Sequence, residues 1–452
     1  MNAAPPMVGG AHLFLRVSLD VPRNASSRPL PSTIHGMSGE SLSYSEATAM
    51  VVSFARGLCG ANLAIKRVEL ADASGRVLAE PMLADQDQPA FARSTRDGFA
   101  CRAGEISTHE FLPIAGSTHA GEAPAGPLPA GVAWEIMTGA PVPMGADAVV
   151  MIEHVERNGD RVRLLPKRSI AAQDNVVGKG AQAHQGDELV SAGAFVGSAQ
   201  IALAAACGYA RLSVYKRPRV AILTTGDELV PIEQETGPGQ IRNSNAPMLA
   251  ALVTAAGGEA QVLPTAADTA ESLDAALLHA MDANLLLISG GVSAGKFDLV
   301  EPALARIGAA FHFTGVRMQP GKPLVFGEVA RAGGASLPFF GLPGNPISSA
   351  ATFLLFAAPV LAALGGAKET GPRFGTAQLA RATDRNAKTG LTRFLPGLCK
   401  FNPPDDGLPQ VATVPWHGSG DLPAFARSNC FVVVPEDVSS LDAGAMVRIL
   451  ML

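Results

Sequence analysis

The residues best suited to chemistry follow a short apolar run. Val220-Ala221-Ile222-Leu223 leads into Thr224-Thr225-Gly226, and two carboxylates, Asp227 and Glu228, come next. Adjacent acids behind a glycine turn can hold a hard divalent ion or orient a polar ligand. Two later segments repeat this grammar. Leu287-Ile288-Ser289-Gly290-Gly291-Val292-Ser293-Ala294-Gly295-Lys296-Phe297-Asp298 places small and hydroxyl residues after a second run, with Asp298 near the start of the next helix. Gly341-Leu342-Pro343-Gly344-Asn345-Pro346-Ile347-Ser348-Ser349 does the same after a third. Such loops let backbone N–H groups and hydroxyls close around a phosphate or another oxyanion. Between the second and third lies Gln319-Pro320-Gly321-Lys322-Pro323, a rigid loop presenting one ammonium. The pattern G-x-x-x-x-G-K-[ST] is absent, so the ordinary P-loop reading fails.

Each loop also has a plainer role open to it. Gly-Gly pairs after strands commonly form tight turns. Asp227 can cap a turn, while Asp298, Ser348 and Ser349 can cap helices. Three such loops at one edge of one sheet favour the ligand, because open α/β sheets bind at the carboxyl ends of their strands. The nine histidines show no H-x-x-x-H or H-E-x-x-H spacing; His417, between Trp416 and Gly418, is the one to watch.

The elements that must position these loops alternate. Val220 to Leu223, Leu285 to Ser289 and Phe339 to Leu342 read as strands buried on both faces. Helical spacing falls between and after them, at Met248 to Ala256, Ala270 to Met281, Leu299 to Ile307 and Ser348 to Leu364. Asn243 and Asn245 precede the first of these, with Pro247 in its opening turn. This βαβ repetition predicts a doubly wound parallel domain over 217–369. Upstream, Leu42 to Leu63 reads as a helix capped by Ser43 or Ser45, and Ala71 to Ala79 as a second short helix. Short β-like runs broken by Gly and Pro predict a β-rich insertion at 87–171, inside a helical linker domain made of 38–86 and 172–216. After Gly371-Pro372 short β segments return, which predicts a small C-terminal barrel over 370–452.

At 452 residues the chain exceeds one ordinary core. A net charge of −5 without a long basic run gives no footprint for nucleic acid. No apolar run of bilayer-crossing length is expected. Five scattered cysteines without C-x-x-C spacing predict reduced thiols in a cytoplasmic protein. Residues 1–37, rich in Pro, Ser and Gly, read as a poorly ordered arm, with Met37 an alternative start.

The motifs together resemble the molybdopterin molybdotransferase family, which includes bacterial MoeA, the plant molybdenum insertase domain and the C-terminal domain of gephyrin. The resemblance runs from about Leu42 onward. It is carried by Arg96-Asp97-Gly98-Phe99-Ala100, Met137-Thr138-Gly139-Ala140-Pro141-Val142-Pro143, Gly145-Ala146-Asp147-Ala148-Val149-Val150, Thr225-Gly226-Asp227-Glu228-Leu229, Ser289-Gly290-Gly291-Val292-Ser293, Pro320-Gly321-Lys322-Pro323 and Gly341-Leu342-Pro343-Gly344-Asn345-Pro346. It implies an elongated homodimer that inserts molybdate into adenylylated molybdopterin with Mg²⁺, releasing AMP. By that resemblance Asp227 and Asp298 hold Mg²⁺ or orient the phosphoanhydride, and Lys322, Ser348 and Ser419 face molybdate. Asp97 and Thr138 approach from the partner chain. Gly226, Asn243, Asn245, Gly290, Gly291, Ser293, Gly295, Pro343, Gly344, Asn345 and Ser349 complete the substrate site. A molybdopterin adenylyltransferase, and molybdoenzymes or their chaperones, are the implied partners.

The chain also departs from the family pattern. Lys179-Gly180-Ala181-Gln182 stands where the family carries Arg-Gly-Glu-Asp, and Gly390-Leu391-Thr392-Arg393-Phe394-Leu395-Pro396-Gly397 replaces G-R-x-x-F-x-R-G. An acidic residue is thus Ala181, and an arginine expected at the molybdate pocket is Pro396, with Arg393 the nearby guanidinium able to substitute. A second reading follows from these losses: a weakened paralogue that carries molybdopterin or finished cofactor.

Overall fold

The computed structural model describes residues 41–58, 63–123, 126–291, 299–331, 335–384, 389–401 and 407–452. Helix α1 (Tyr44–Leu58) is started by Ser43. Ser43 Oγ accepts the Glu46 amide at 3.2 Å, and the Glu46 carboxylate accepts the Ser43 amide at 2.8 Å. This reciprocal capping box satisfies two otherwise orphaned donors. The opposite face of α1, with Ala47, Val51 and Ala55, is buried in the main core.

Two segments far apart in sequence then share one small core. Ile65–Glu69 pairs antiparallel with Arg211–Tyr215, and Met82–Leu83 with Glu188–Val190. Residues 71–79 are not the expected helix. A 3-10 turn, Leu70–Asp72, is followed by bridges from Val77 to Phe195 and from Leu78 to Val214. Gly75, at φ +69°, turns the chain away before a second helical turn can form. The insertion between these segments is a six-stranded sheet, as its texture predicts, with one short helix, Ala103–Thr108, added.

The next sheet is organised around strand β1 (Arg219–Thr224), with β2 (Glu259–Val262), β3 (Leu285–Ser289), β4 (Ala309–Thr314), β5 (Val325–Ala330) and β6 (Ser336–Leu342). Their order is β2-β1-β3-β6-β5-β4. The first four are parallel, as expected. The last two run antiparallel and extend the sheet beyond the predicted core. Alternate residues of each strand enter different layers. Val220, Ile222, Leu285 and Leu287 meet α1, α2 (Asn245–Ala255) and α5 (Pro346–Leu364). Ala221, Leu223, Leu286 and Ile288 meet α3 (Ala270–Ala280) and α4 (Val300–Arg306). Burial on both faces is why these runs are continuously apolar.

Helix α5 corrects one expectation. It begins at Pro346, earlier than the periodicity suggests, and its 19 residues are long and apolar enough to cross a membrane by length and composition. Most of them are buried against the sheet and α1. A helix packed on nearly all sides needs no polar stripe.

The C-terminal strands β7 (Phe374–Leu379), β8 (Thr392–Lys400), β9 (Gln410–Thr413), β10 (Cys430–Val434) and β11 (Met446–Met451) close a barrel in the order β8-β9-β7-β11-β10, with β10 returning to β8. Leu379, Cys399, Val411, Val432 and Ile449 fill it. The strand Val316–Gln319 leaves the α/β unit to pair in parallel with β8, Met318 opposite Thr392 and Gln319 opposite Arg393.

Ser43→Ala removes one arm of the capping box, so urea denaturation should show a loss of about 1 kcal/mol. Ser43→Thr, which keeps the hydroxyl that Glu46 accepts, should recover most of it. Indistinguishable melts for the alanine variant and the parent would show that the box contributes nothing.

Candidate functional site

The carboxyl ends of β1, β3 and β6 are tied side by side. Thr225 donates its amide to Ser289 O at 3.1 Å, and Gly290 donates to Leu342 O at 3.2 Å. A Cβ at Gly290 would sit 2.6 Å from Thr225 O, and its φ is +99°, so this junction requires glycine. The three loops therefore meet at one edge, as the sequence predicts. Gly226, Gly290, Gly291, Pro343, Gly344 and Asn345 line one cleft of about 530 Å³ with Asn243 and Asn245; Gly420 and Leu422 of the barrel close its far side.

Asn245, the first residue of α2, binds two of these loops. Its Nδ2 donates to Ser289 Oγ at 2.8 Å and to Gly344 O at 2.6 Å. Its Oδ1 is buried without a partner among the described residues, and so is Thr225 Oγ1. A buried polar atom without a partner costs free energy, so two of them in one cleft wall mark where polar groups of a ligand belong. Asn243 differs. Its Nδ2 reaches Thr224 Oγ1 at 2.8 Å and Thr265 Oγ1 at 3.2 Å, and its Oδ1 accepts Ala246 N at 3.1 Å. That amide is committed to holding the loop and the start of α2.

The acidic corner contains a residue the sequence reading missed. Asp227 Oδ1 accepts the Asp268 amide at 3.0 Å. Burial, with Asp227 and Glu228 nearby, pushes the Asp268 carboxyl above the usual range. Asp268 sits on the loop after β2, where Ala266 bridges Thr225. The available signal was an acid between the short strand that the sequence suggests at Gln261 to Leu263 and the Ala270 helix. Ser293, Gly295 and Asp298 lie outside the described residues; among those described, Asp268 is beside Asp227.

Lys322 is exposed on the loop whose next residue, Pro323, lines the cleft. Gly321 lets that loop press on α5, since a Cβ there would meet Thr352 Cγ2 at 2.6 Å. Ser348 and Ser349 are buried in the first turns of α5. Ile347 donates its amide to Ser419 O at 3.0 Å, which fixes the barrel loop against the start of α5. Ser419 and Asn345 border an open recess beside the cleft, with His417 at its edge. Asp421 accepts the His417 amide at 3.0 Å and caps α6 (Leu422–Ala426) through Ala424 N at 3.0 Å. The Ala424 and His417 amides hold the Asp421 carboxyl below its usual range.

Asp97 and Thr138 do not line this cleft. They meet on the β-rich insertion, where Asp97 Oδ1 accepts the Thr138 amide at 2.6 Å and hydroxyl at 2.7 Å. The Thr138 hydroxyl and then its amide hold Asp97 below the usual carboxylate range. Arg393 does not substitute for the missing arginine. It is buried in β8, and its Nη2 donates to Val438 O at 2.9 Å and Ser439 O at 2.7 Å, pinning a barrel loop. Pro396 is buried in the same strand opposite Phe431, and Ala181 is exposed in a turn.

A β-rich insertion, a discontinuous linker unit, an α/β unit with an anion-suited strand edge and a closed barrel define a multidomain ligand-binding α/β protein. In chain order the sequence matches the MoeA N-terminal region (domain I and II) over residues 42–208, the probable molybdopterin binding domain over 221–363 and the MoeA C-terminal region (domain IV) over 378–452. It is 35% identical over 400 residues to the molybdopterin molybdenumtransferase of Nostoc sp., covering 85% of this chain and 88% of that protein. The Haemophilus influenzae molybdopterin molybdenumtransferase is 33% identical over 390 residues, covering 84% and 92%. A solved molybdopterin biosynthesis MoeA protein from Pyrococcus horikoshii is similar with a TM-score of 0.74 at 26% identity, covering 91% of this chain and 100% of that one. The chain belongs to the molybdopterin molybdenumtransferase (MoeA) family.

Asn245→Ala strips the donor from Gly344 O and Ser289 Oγ, so urea denaturation should show a loss of about 1–3 kcal/mol. No loss would mean the amide clamp is dispensable. Thr138→Val should raise the Asp97 pKa toward the ordinary carboxylate value, read by NMR titration. Because Asp97 is depressed in the folded protein, its contribution is present above the unfolded carboxylate pKa and is lost as pH falls through the folded one. The valine variant should therefore lose less stability on acidification; an unchanged acid limb would contradict the assignment.

Proposed function

We propose that this chain is a molybdopterin molybdenumtransferase, inserting molybdate into adenylylated molybdopterin with release of AMP. The observation that carries the reading is the cleft at the ends of β1, β3 and β6, where Asn245 Oδ1 and Thr225 Oγ1 are buried without partners. A ligand rich in N–H and O–H groups satisfies them. The glycine loops at Gly290-Gly291 and Pro343-Gly344 let a phosphate-bearing substrate approach the backbone closely. Lys322 supplies a cation at the rim for an incoming oxyanion, and Ser419 borders the adjoining recess. The barrel residues Gly420 and Leu422 line the opposite side.

The acidic corner fits Mg²⁺ as the cofactor. Asp227 and Asp268 lie close together, and the Asp268 carboxyl is raised first by burial and then by the negative charge of Asp227 and Glu228, which a divalent ion offsets. Among the described residues no group of three or more His, Cys, Asp or Glu side chains is arranged to hold a metal. That suits Mg²⁺, which typically takes one or two carboxylates and completes its shell with water and substrate phosphates. When bound, the ion would neutralise charge on the phosphoanhydride. Asp227 would hold it, with Asp268 beside it.

The working unit in this reading is a homodimer. Asp97 and Thr138 lie outside their own chain's cleft, which supports their delivery to the partner's site. The four described cysteines are free and buried, which supports a reducing, cytoplasmic setting.

Purified protein supplied with adenylylated molybdopterin, molybdate and Mg²⁺ should release AMP, and Asp227→Asn should lower the rate at least about 100-fold. Full turnover by that variant would sink the metal assignment. Asp97→Ala and Asp227→Asn should each be inactive alone. Mixed and allowed to exchange subunits, they should regain about a quarter of parental activity, since half the dimers then carry one intact site. No regain would place Asp97 in its own chain's site.

A further inference from the structure

At the opposite end of β1 from the cleft, a second recess of about 490 Å³ opens where the linker strands join the sheet. It is lined by Lys66, Lys216, Arg217 and Arg219, with Glu259 the one acidic side chain and Asn284 the one amide. Among the described residues no ion pair engages any of those four cations. Asn284 Oδ1 already accepts the Arg219 amide at 2.8 Å, so its remaining capacity is as a donor. The recess thus offers donors and positive charge almost exclusively, in a chain whose net charge is −5.

The surroundings make this concentration costly for the folded protein on its own. Arg76 is buried in a neighbouring recess that shares Lys216 and Arg217, and donates to Tyr215 O at 2.7 Å. Burial lowers its pKa, and Arg217 lowers it further. Arg331 differs: it is lowered by burial, but Asp282 offsets more of its charge than Arg219 opposes. Like charges held together at Arg76 and Arg217 are what an anionic ligand would relieve. A volume of this size suits a small molecule.

We infer that the recess formed by Lys66, Lys216, Arg217, Arg219 and Asn284 is a second ligand site, taking a compact, multiply charged phosphate-bearing anion. It is separate from the substrate cleft: the recess meets the first residue of β1, Arg219, and the cleft meets the last, Thr224. Its ligand is free polyphosphate or the phosphate end of a nucleotide, which share this chemistry.

Isothermal titration of the full chain with sodium pyrophosphate, orthophosphate and AMP, at fixed ionic strength, tests the site. Saturable pyrophosphate binding is expected. Stronger binding of pyrophosphate than of AMP identifies a free polyphosphate, and equal binding identifies a nucleotide. The double variant Lys216→Gln/Arg217→Gln should weaken pyrophosphate at least about tenfold while AMP release from adenylylated molybdopterin stays at the parental rate. Both side chains are exposed, and the unliganded variant should melt no lower than the parent because repulsion is relieved. Lys322→Ala, at the rim of the substrate cleft, should leave pyrophosphate binding intact. Absence of saturable binding, or binding unaffected by the double variant, overturns the inference. Loss of binding in Lys322→Ala instead would assign the anion to the substrate cleft and also overturn it. An inactive parent that still binds pyrophosphate through Lys216 and Arg217 would count against the transferase reading alone.

Discussion

The two hydrogen bonds donated by the Asn245 amide are the constraint on which the cleft depends. One fastens the Ser289 hydroxyl at the end of β3, the other the Gly344 carbonyl in the loop after β6. Because both N–H groups are spent on the protein, the carbonyl oxygen is left as an acceptor without a partner. Orientation follows from chemistry, since an amide that gives away both donors has only its oxygen left for a ligand. The glycines at 226 and 290 then matter as neighbours of this clamp. A side chain at Gly290 would collide with Thr225 O and separate the loops the amide joins.

Much of this was legible in the sequence, and the reason is burial. Strands covered on both faces must be apolar throughout, so β1, β3 and the end of β6 stand out as runs that stop at glycine or proline. The capping box was readable because Ser43 and Glu46 have the spacing the geometry needs. What escaped lacked such a local signature. β4 and β5 are an antiparallel addition whose pairing is decided by tertiary contact. Asp268 reaches the acidic corner only through the register of β2 against β1. Residues 71–79 carry helix-like composition but spend their backbone groups on distant strands, bonding Leu78 to Ala194 and Ala79 to Ser213. Arg393 is the counterpart case. Its type suggests a ligand contact, but its place in a closed barrel turns the guanidinium to the backbone of its own domain.

The departures from the family pattern now have physical settings. Ala181 occupies an exposed turn with no structural load on its side chain. Pro396 is buried in a barrel strand paired on both sides, and the amide it lacks costs the barrel one ladder donor. With Arg393 committed elsewhere, the described cations near the cleft are Lys322 at the rim and Arg242 in the lining, whose Nε donates to Gln234 O at 3.2 Å.

The strand Val316–Gln319 ends where Gln319-Pro320-Gly321-Lys322-Pro323 begins. By adding itself to β8, it welds the barrel to the α/β unit next to the loop that carries Lys322. Barrel and sheet edge therefore move as one piece, and the gap between them behaves as a slot of fixed width, not a jaw. The other junction, where Lys216-Arg217-Pro218 leads into β1, is also tied, since Lys368 donates its amide to Gly193 O at 3.1 Å across it.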